Sequence, residues 1–345
     1  MPHLLAPTAF QVQVASPKKT MFPVERALLI INRTAGTGQC ESIAEKLAAL
    51  FTDGLREVSE LKVELVSDHA AARARAAGFI SESEGPAVVV AGGGGGTLRA
   101  VIEGIWDSGP ERVRVGALRM GSGNVLAKQF GVPPDPVAGL NGLLTNLKAG
   151  RTVPCCVMRC ETWTSTGSSV VHHAVTLGGL GQFGRIPSDL ARWHARFPGI
   201  HKIAAQSLGI ERLTNVEYAL AFVVRSLSCV LFPNRAELVE IQNYEPFRLL
   251  TGVVMNFPIA ALPFKPGVTV EDEALAVYLI PLSLLPHTRR IKIVKNKPLD
   301  IHFVEPGPVE LFLDEDPVTT YKQLRLGVAG SIAFVPGPDY RGVSA

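Results

Sequence analysis

A chain of 345 residues that is 47% hydrophobic and 19% charged is too long for one ordinary core and too apolar to stay disordered, so two compact domains are expected. A net charge of +3, with no long Lys/Arg block, gives mild attraction to anions and no groove for nucleic acid. Five cysteines, Cys40, Cys155, Cys156, Cys160 and Cys229, are an odd number without the density of a disulfide-stapled secreted protein, which fits a reducing, cytoplasmic setting. Cys155 and Cys156 are adjacent in a β-like run, where neighbours point to opposite faces, and this speaks against a zinc cluster.

Residues 1–23 lack the charged start, long apolar centre and cleavage site of a secretion signal and read as a loose N-terminal extension. From Glu25 an apolar run at 27–31 passes through a turn at 32–38 into a helical face of Ile43, Leu47 and Leu50. The pattern recurs with 62–66 before 69–79, with 87–90 before five glycines and 98–106, and with 113–118 before 121–130. Four such units in series predict a parallel sheet covered by helices, with binding loops at the carboxyl ends of the strands, over residues 24–149.

After Gly150 the rhythm changes to short alternating runs at 152–160, 170–177, 249–255, 275–280 and 291–294, which predict a mainly antiparallel sheet in a second domain, 150–337, with a tail at 338–345. Between these runs, 203–231 is long and apolar with Glu211, Arg212, Glu217 and Arg225 spaced through it, and reads as one or two crossing helices. The longest apolar run, 219–232, is broken by Arg225 and is shorter than the ~20 residues needed to cross a bilayer, so any membrane contact is expected to be peripheral. Arg289, Arg290, Lys292, Lys295 and Lys297 alternate with apolar residues. They predict a strand with a positive face, either simply solvated or set against acidic lipid headgroups.

The strongest local signal is the strand Val88-Val89-Val90-Ala91 running into Gly92, Gly93, Gly94, Gly95, Gly96 and Thr97. Glycines without Cβ let backbone N–H groups approach an anion, and a helix start adds partial positive charge. Neither G-x-x-x-x-G-K-[ST] nor G-x-G-x-x-G can be read in it. What Gly93 to Thr97 resembles is the G-G-D-G-T loop of the diacylglycerol kinase, sphingosine kinase and NAD kinase superfamily, with Gly95 standing where that family has aspartate.

Further elements are similar to the lipid-kinase branch. The run from Gly116 through Arg119, Gly121, Ser122, Gly123, Asn124 and Val125 to Ala127 resembles P-x-G-T-x-N-D-x-A, with Val125 at the aspartate. Asn32 to Gly36 resembles the N-P-x-x-G loop, with Arg33 for proline, and 177–181 resembles an S-x-G-x-G turn. Asn256, Pro266, Asp272 and Leu275 resemble N…P…D-G-x-L, and Asp314-Glu315-Asp316 resembles D-G-E. The second loop and the antiparallel half match lipid kinases better than NAD kinase.

The resemblance implies an α/β nucleotide-binding domain of the diacylglycerol-kinase type, followed by a β-rich lipid-substrate domain with inserted helices. It implies ATP with Mg2+ as donor, bound through Asn32, Gly36, Gly93, Gly94, Gly95, Gly96, Thr97, Gly121, Ser122, Gly123, Asn124, Asp314 and Asp316. Asp272 would be the general base, and 177–183 with the helices near 203–231 would supply the acyl-chain pocket for a diacylglycerol- or sphingoid-like lipid. Gly95 and Val125 remove two acids that would hold magnesium, so a catalytically impaired relative that binds nucleotide or lipid is the alternative. Asp68, Asp272, Asp314, Glu315 and Asp316 are the candidate replacements. His69, His172 and His173 read as structural, with His69 near enough to a family loop for phosphate contact. Metal ligands and oligomeric state are not assigned by the sequence.

Overall fold

Strand β1 (Arg26–Asn32) is buried at every position, as a strand covered on both faces must be. It pairs in parallel with β2 (Glu60–Val66) on one side and β3 (Ala87–Gly93) on the other, and β3 pairs in parallel with β4 (Val113–Arg119). Helices α1 (Cys40–Gly54), α2 (His69–Ser81), α3 (Gly95–Trp106), α4 (Val125–Gln129) and α5 (Pro136–Lys148) complete this half. Alternate strand residues serve opposite layers. Leu28, Ile30, Val89 and Ala91 pack with α2 and α3, whereas Leu29, Ile31, Val88 and Val90 pack with α1 and α5. The four predicted βα units are therefore present, with α3 starting at Gly95, three residues before the expected 98.

A computed structural model describes residues 24–35, 40–82, 84–121, 124–197, 214–242, 244–260, 262–283, 288–305, 307–314 and 316–342. Its second half contains β5 (Val153–Trp163), β6 (Ser169–Ala174), β7 (Leu177–Leu180), α6 (Gly181–Gly184), α7 (Ile186–Arg196), α8 (Thr214–Leu231), β8 (Glu237–Ile241), β9 (Tyr244–Met255), β10 (Ala274–Pro281), β11 (Arg289–Val294), β12 (Leu299–Phe303), β13 (Pro308–Leu313), β14 (Asp316–Tyr321) and β15 (Gln323–Phe334). Pairings among these strands are antiparallel. Among the described residues, fifteen strands form one mixed sheet, whose main path runs β14-β13-β7-β9-β8-β12-β15-β4-β3-β1-β2.

The expected run at 170–177 is two strands, β6 and β7, split by a turn at Val175 and Thr176. Strands β8 and β12 to β15 are additional to those read from the sequence. Cys155 packs with the layer of α2 and α3, and Cys156 and Cys160 in the core of the antiparallel half, all three buried and free. The halves join through β15. It runs antiparallel to β5, then its last residues, Ala333 and Phe334, lie parallel to Arg114 and Val115 of β4. Beyond it, the Asn146 amide donates to the carbonyls of Pro336 and Gly337, and Phe130 meets the rings of Phe334 and Tyr340. Among the described residues no helix is long and apolar enough to cross a membrane.

Candidate functional site at the junction of the two halves

Because β1, β3 and β4 are parallel, their carboxyl ends bring Asn32, Gly93 and Gly121 to one edge of the sheet. A pocket opens there, lined by Gly93, Gly94 and Gly95 of the glycine loop, Asn124 and Val125 of the second loop, and Thr176, Leu177 and Asp314 of the antiparallel half. Leu98, Leu118 and Leu126 give it an apolar floor. The glycines serve close approach. A Cβ on Gly121 would run into the backbone of Gly94, and one on Gly96 into the His69 ring. At Gly94 and Gly95, by contrast, a Cβ would meet nothing nearer than 3.5 Å. These two positions, the N-cap and first residue of α3, tolerate a Cβ without a clash and stand where backbone N–H groups lack intrahelical acceptors.

Side chains brace the loops from behind. The Asn32 amide donates to Thr97 Oγ1 at 2.9 Å, and Asn32 Oδ1 accepts from the Thr34 N–H and hydroxyl. Asn124, at φ +50°, accepts from the Gly121 N–H through Oδ1 and closes the second loop upon itself. Asp314 sits in the two-residue connection between β13 and β14 with φ +48°. Its buried carboxylate accepts three backbone N–H bonds, from Val175 at 2.7 Å, Thr176 at 2.8 Å and Leu177 at 3.0 Å. Burial pushes the Asp314 pKa up, opposed by those amides and by Arg99. The turn between β6 and β7 is thereby fixed as a wall of the pocket, and Asn256 holds its other side by donating to the carbonyls of Cys156 and Val175.

A buried ionic cluster ties α3 to the second half. Arg99 donates to the His173 and Leu313 carbonyls, to Asp316 at 3.3 Å and to Glu103 at 3.0 Å. Asp316 also pairs with His69 Nδ1 at 3.2 Å, which raises the His69 pKa. His173 is packed against Trp106, and burial lowers its pKa to about 4. Sequence reasoning missed Arg99 and Glu103. Their signal was an Arg and a Glu four apart on an otherwise apolar helix.

Of the residues expected to bind nucleotide, Gly93, Gly94, Gly95, Asn124 and Asp314 line the pocket together. Asn32, Gly96, Thr97, Gly121 and Asp316 pack around them as braces. Gly36, Ser122, Gly123 and Glu315 lie outside the described residues. Asp272 stands apart from this group. It is exposed in the turn before β10, where its carboxylate accepts from the Thr269 N–H at 2.7 Å and the Thr269 hydroxyl at 3.1 Å, and it is not among the lining residues. Asp68 caps α2 through the Ala71 N–H.

Residues 26–160 match the diacylglycerol kinase catalytic domain family. No curated protein matches the chain significantly. Among solved structures, a diacylglycerol kinase from Bacillus anthracis str. Sterne superposes with a TM-score of 0.56 at 16% identity, covering 92% of this chain and 98% of its own. A second chain from that organism, provisionally named a diacylglycerol kinase, gives a TM-score of 0.58 at 16% identity over 92% of this chain and 99% of its own. The likeness in structure shows a shared fold through both halves. The sequence match spans the glycine loop and the second loop, and its likeness to the diacylglycerol kinase catalytic domain is confined to the first half of the chain.

Proposed function

We propose that this protein is an ATP-dependent lipid kinase that transfers the γ-phosphoryl group to a hydroxyl of a diacylglycerol- or sphingoid-like lipid. One observation carries the reading: the glycine loop, the second loop and the Asp314 hairpin, from distant parts of the chain, line a single pocket. The first turn of α3 would hold phosphate through N–H groups and its positive end. The apolar floor and Leu177 would receive lipid, since such sites need mostly apolar lining with a few placed polar groups. Catalysis of this kind is positioning plus charge compensation.

Among the described residues that line the pocket, the donor set does not fit magnesium. Gly95 and Val125 both line the pocket and offer no side-chain oxygen, and the Asp314 carboxylate is taken by three amides, whereas this cation wants oxygen ligands. That observation favours a second reading, a family member that binds nucleotide or lipid without efficient transfer. Labelled γ-phosphate transfer from ATP to diacylglycerols, ceramides and sphingoid bases separates the two, run on the natural protein and on Gly95→Asp/Val125→Asp. Turnover by the natural protein supports the kinase. Silence, with activity gained in the double variant, supports the impaired relative. Asp272 as base rests on the resemblance alone, and Asp272→Asn tests it: transfer lost with ATP binding intact keeps the role, and retained turnover removes it.

A further inference from the structure

Helix α8 has its polarity reversed. Its inward side carries the charges: Glu217 faces His194, and Arg225 pairs with Asp189 and donates to Gln182. Its outward side is apolar. Val216, Leu220, Val223, Val224, Leu227, Val230 and Leu231 are each at least half exposed, and at 100° per residue they fall within an arc of about 120°. A water-facing helix shows the opposite arrangement, and a contiguous exposed apolar face of this kind marks a contact surface.

The ends of the stripe indicate what covers it. The ion pairs from Glu217 to His194 and from Arg225 to Asp189 show that α7 runs antiparallel to α8. The start of α8 therefore lies beside Trp193 and Phe197, which are 37% and 41% exposed, and its far end carries Phe232, 56% exposed. Each end also has an arginine over an aromatic ring, Arg196 over Phe197 at 5.6 Å and Arg235 over Phe232 at 4.8 Å. Aromatic and guanidinium groups bracketing an apolar stripe match the headgroup and acyl layers of a bilayer.

We infer that α8 lies along the surface of an anionic lipid bilayer, with its outward face among the acyl chains and Arg196 and Arg235 at the level of the phosphates. The choice of a lipid surface over another apolar partner rests on the lipid-kinase reading, because a long-chain lipid hydroxyl is presented by a membrane. The helix, about 27 Å long, would hold the protein on the surface that supplies its substrate.

The test is flotation with phosphatidylcholine vesicles, with and without phosphatidylserine, for the full chain and for Leu220→Glu/Val224→Glu/Leu227→Glu. These side chains face outward, so the triple variant should keep the wild-type circular dichroism spectrum and urea midpoint. Should it fail to fold, Arg196→Gln/Arg235→Gln replaces it, with loss of the preference for phosphatidylserine as the readout. The proposal expects the wild type to float with phosphatidylserine vesicles and the triple variant to bind at least about tenfold more weakly. Equal flotation of both proteins, or flotation of neither, overturns it. So does a wild-type dimer that becomes a monomer in the triple variant without any vesicle binding, since a second copy then covers the face. Transfer to a dispersed short-chain diacylglycerol separates docking from chemistry. A triple variant active on that substrate but not on vesicles supports the proposal, whereas a wild type that floats yet transfers to neither substrate sinks the kinase reading and leaves the docking standing.

Discussion

Arg99 and Asp316 are joined by an ion pair of 3.3 Å between Nη1 and Oδ2, with the arginine side chain only 7% exposed. The pair links the helix that follows the glycine loop to the hairpin that holds the opposite wall of the pocket. Arg99 spends its other donors on Glu103 and on the His173 and Leu313 carbonyls, so one guanidinium sets the distance between the two halves of the site.

Removing it should be costly. Arg99→Ala takes the nearer cation from the buried Glu103, which keeps only Arg73 at 3.5 Å and the His173 N–H, and the cost should approach that of a broken buried pair, about 3–5 kcal/mol. Arg99→Lys should recover only part of the loss, because a single ammonium cannot reproduce the fork of five donors. Urea unfolding of the two variants checks this, and equal midpoints for Arg99→Ala and wild type would remove the arginine from any structural role.

The glycines of the site should differ sharply in tolerance. Gly121→Ala drives a Cβ into the backbone of Gly94, which cannot yield without spreading the loops. A loss of about 1–3 kcal/mol is expected, together with weaker ATP binding. Gly95→Asp meets only the Asp314 carbonyl at 3.5 Å and adds a carboxylate at the start of α3, where the helix dipole favours it. Its thermal midpoint should stay close to wild type. Differential scanning calorimetry of both variants gives the comparison.

Asp314→Asn tests the wall itself. Asparagine adopts positive φ readily, so the backbone is not the issue. The substitution turns one accepting oxygen into a donor facing a backbone N–H. One unsatisfied buried amide costs about 1–3 kcal/mol, and hydrogen exchange at Val175, Thr176 and Leu177 should accelerate while exchange in β1 is unchanged.

Acid should weaken the fold through His173. Burial, partly offset by Glu103 and Asp107, lowers its pKa from 6.5 to about 4. Between those values the unfolded chain takes up a proton that the folded state refuses. Stability therefore falls as pH drops from 6.5 towards 4, by about 3 kcal/mol for this group. His173→Gln keeps the backbone bonds to Arg99 and Glu103 and should flatten that part of the profile in urea titrations across pH 4–7. An unchanged slope would assign the acid sensitivity elsewhere. His172 contributes in the same direction, since burial lowers its pKa also.

The parallel half was legible because each unit couples a short, largely apolar run, the mark of a covered strand, to a helical stretch, with a turn between them. The pocket-lining glycines and Asp314 were legible through their motifs. What escaped was long-range. Apart from Glu103, the partners of Arg99 lie 74 to 217 positions away along the chain, and no local pattern encodes them. Strands β12 to β14 are short, and along β12 to β15 buried positions are mixed with more accessible ones. Helix α8 was read as an apolar segment, but hydrophobicity alone does not say which side meets protein. Only the inward pairs of Glu217 and Arg225 settle that.

The return of β15 to β4 means that the region matching the family by sequence, 26–160, is not a piece that can be cut free. Within it, β5 would lose its partner along nearly its whole length, and β4 would lose the residues that close its outer side. Two unpaired edges in one fragment recruit strands from neighbouring molecules. Expressed alone, the segment should aggregate, and a stop codon placed before Ser331 should cripple the nucleotide-binding half as surely as a lesion inside it.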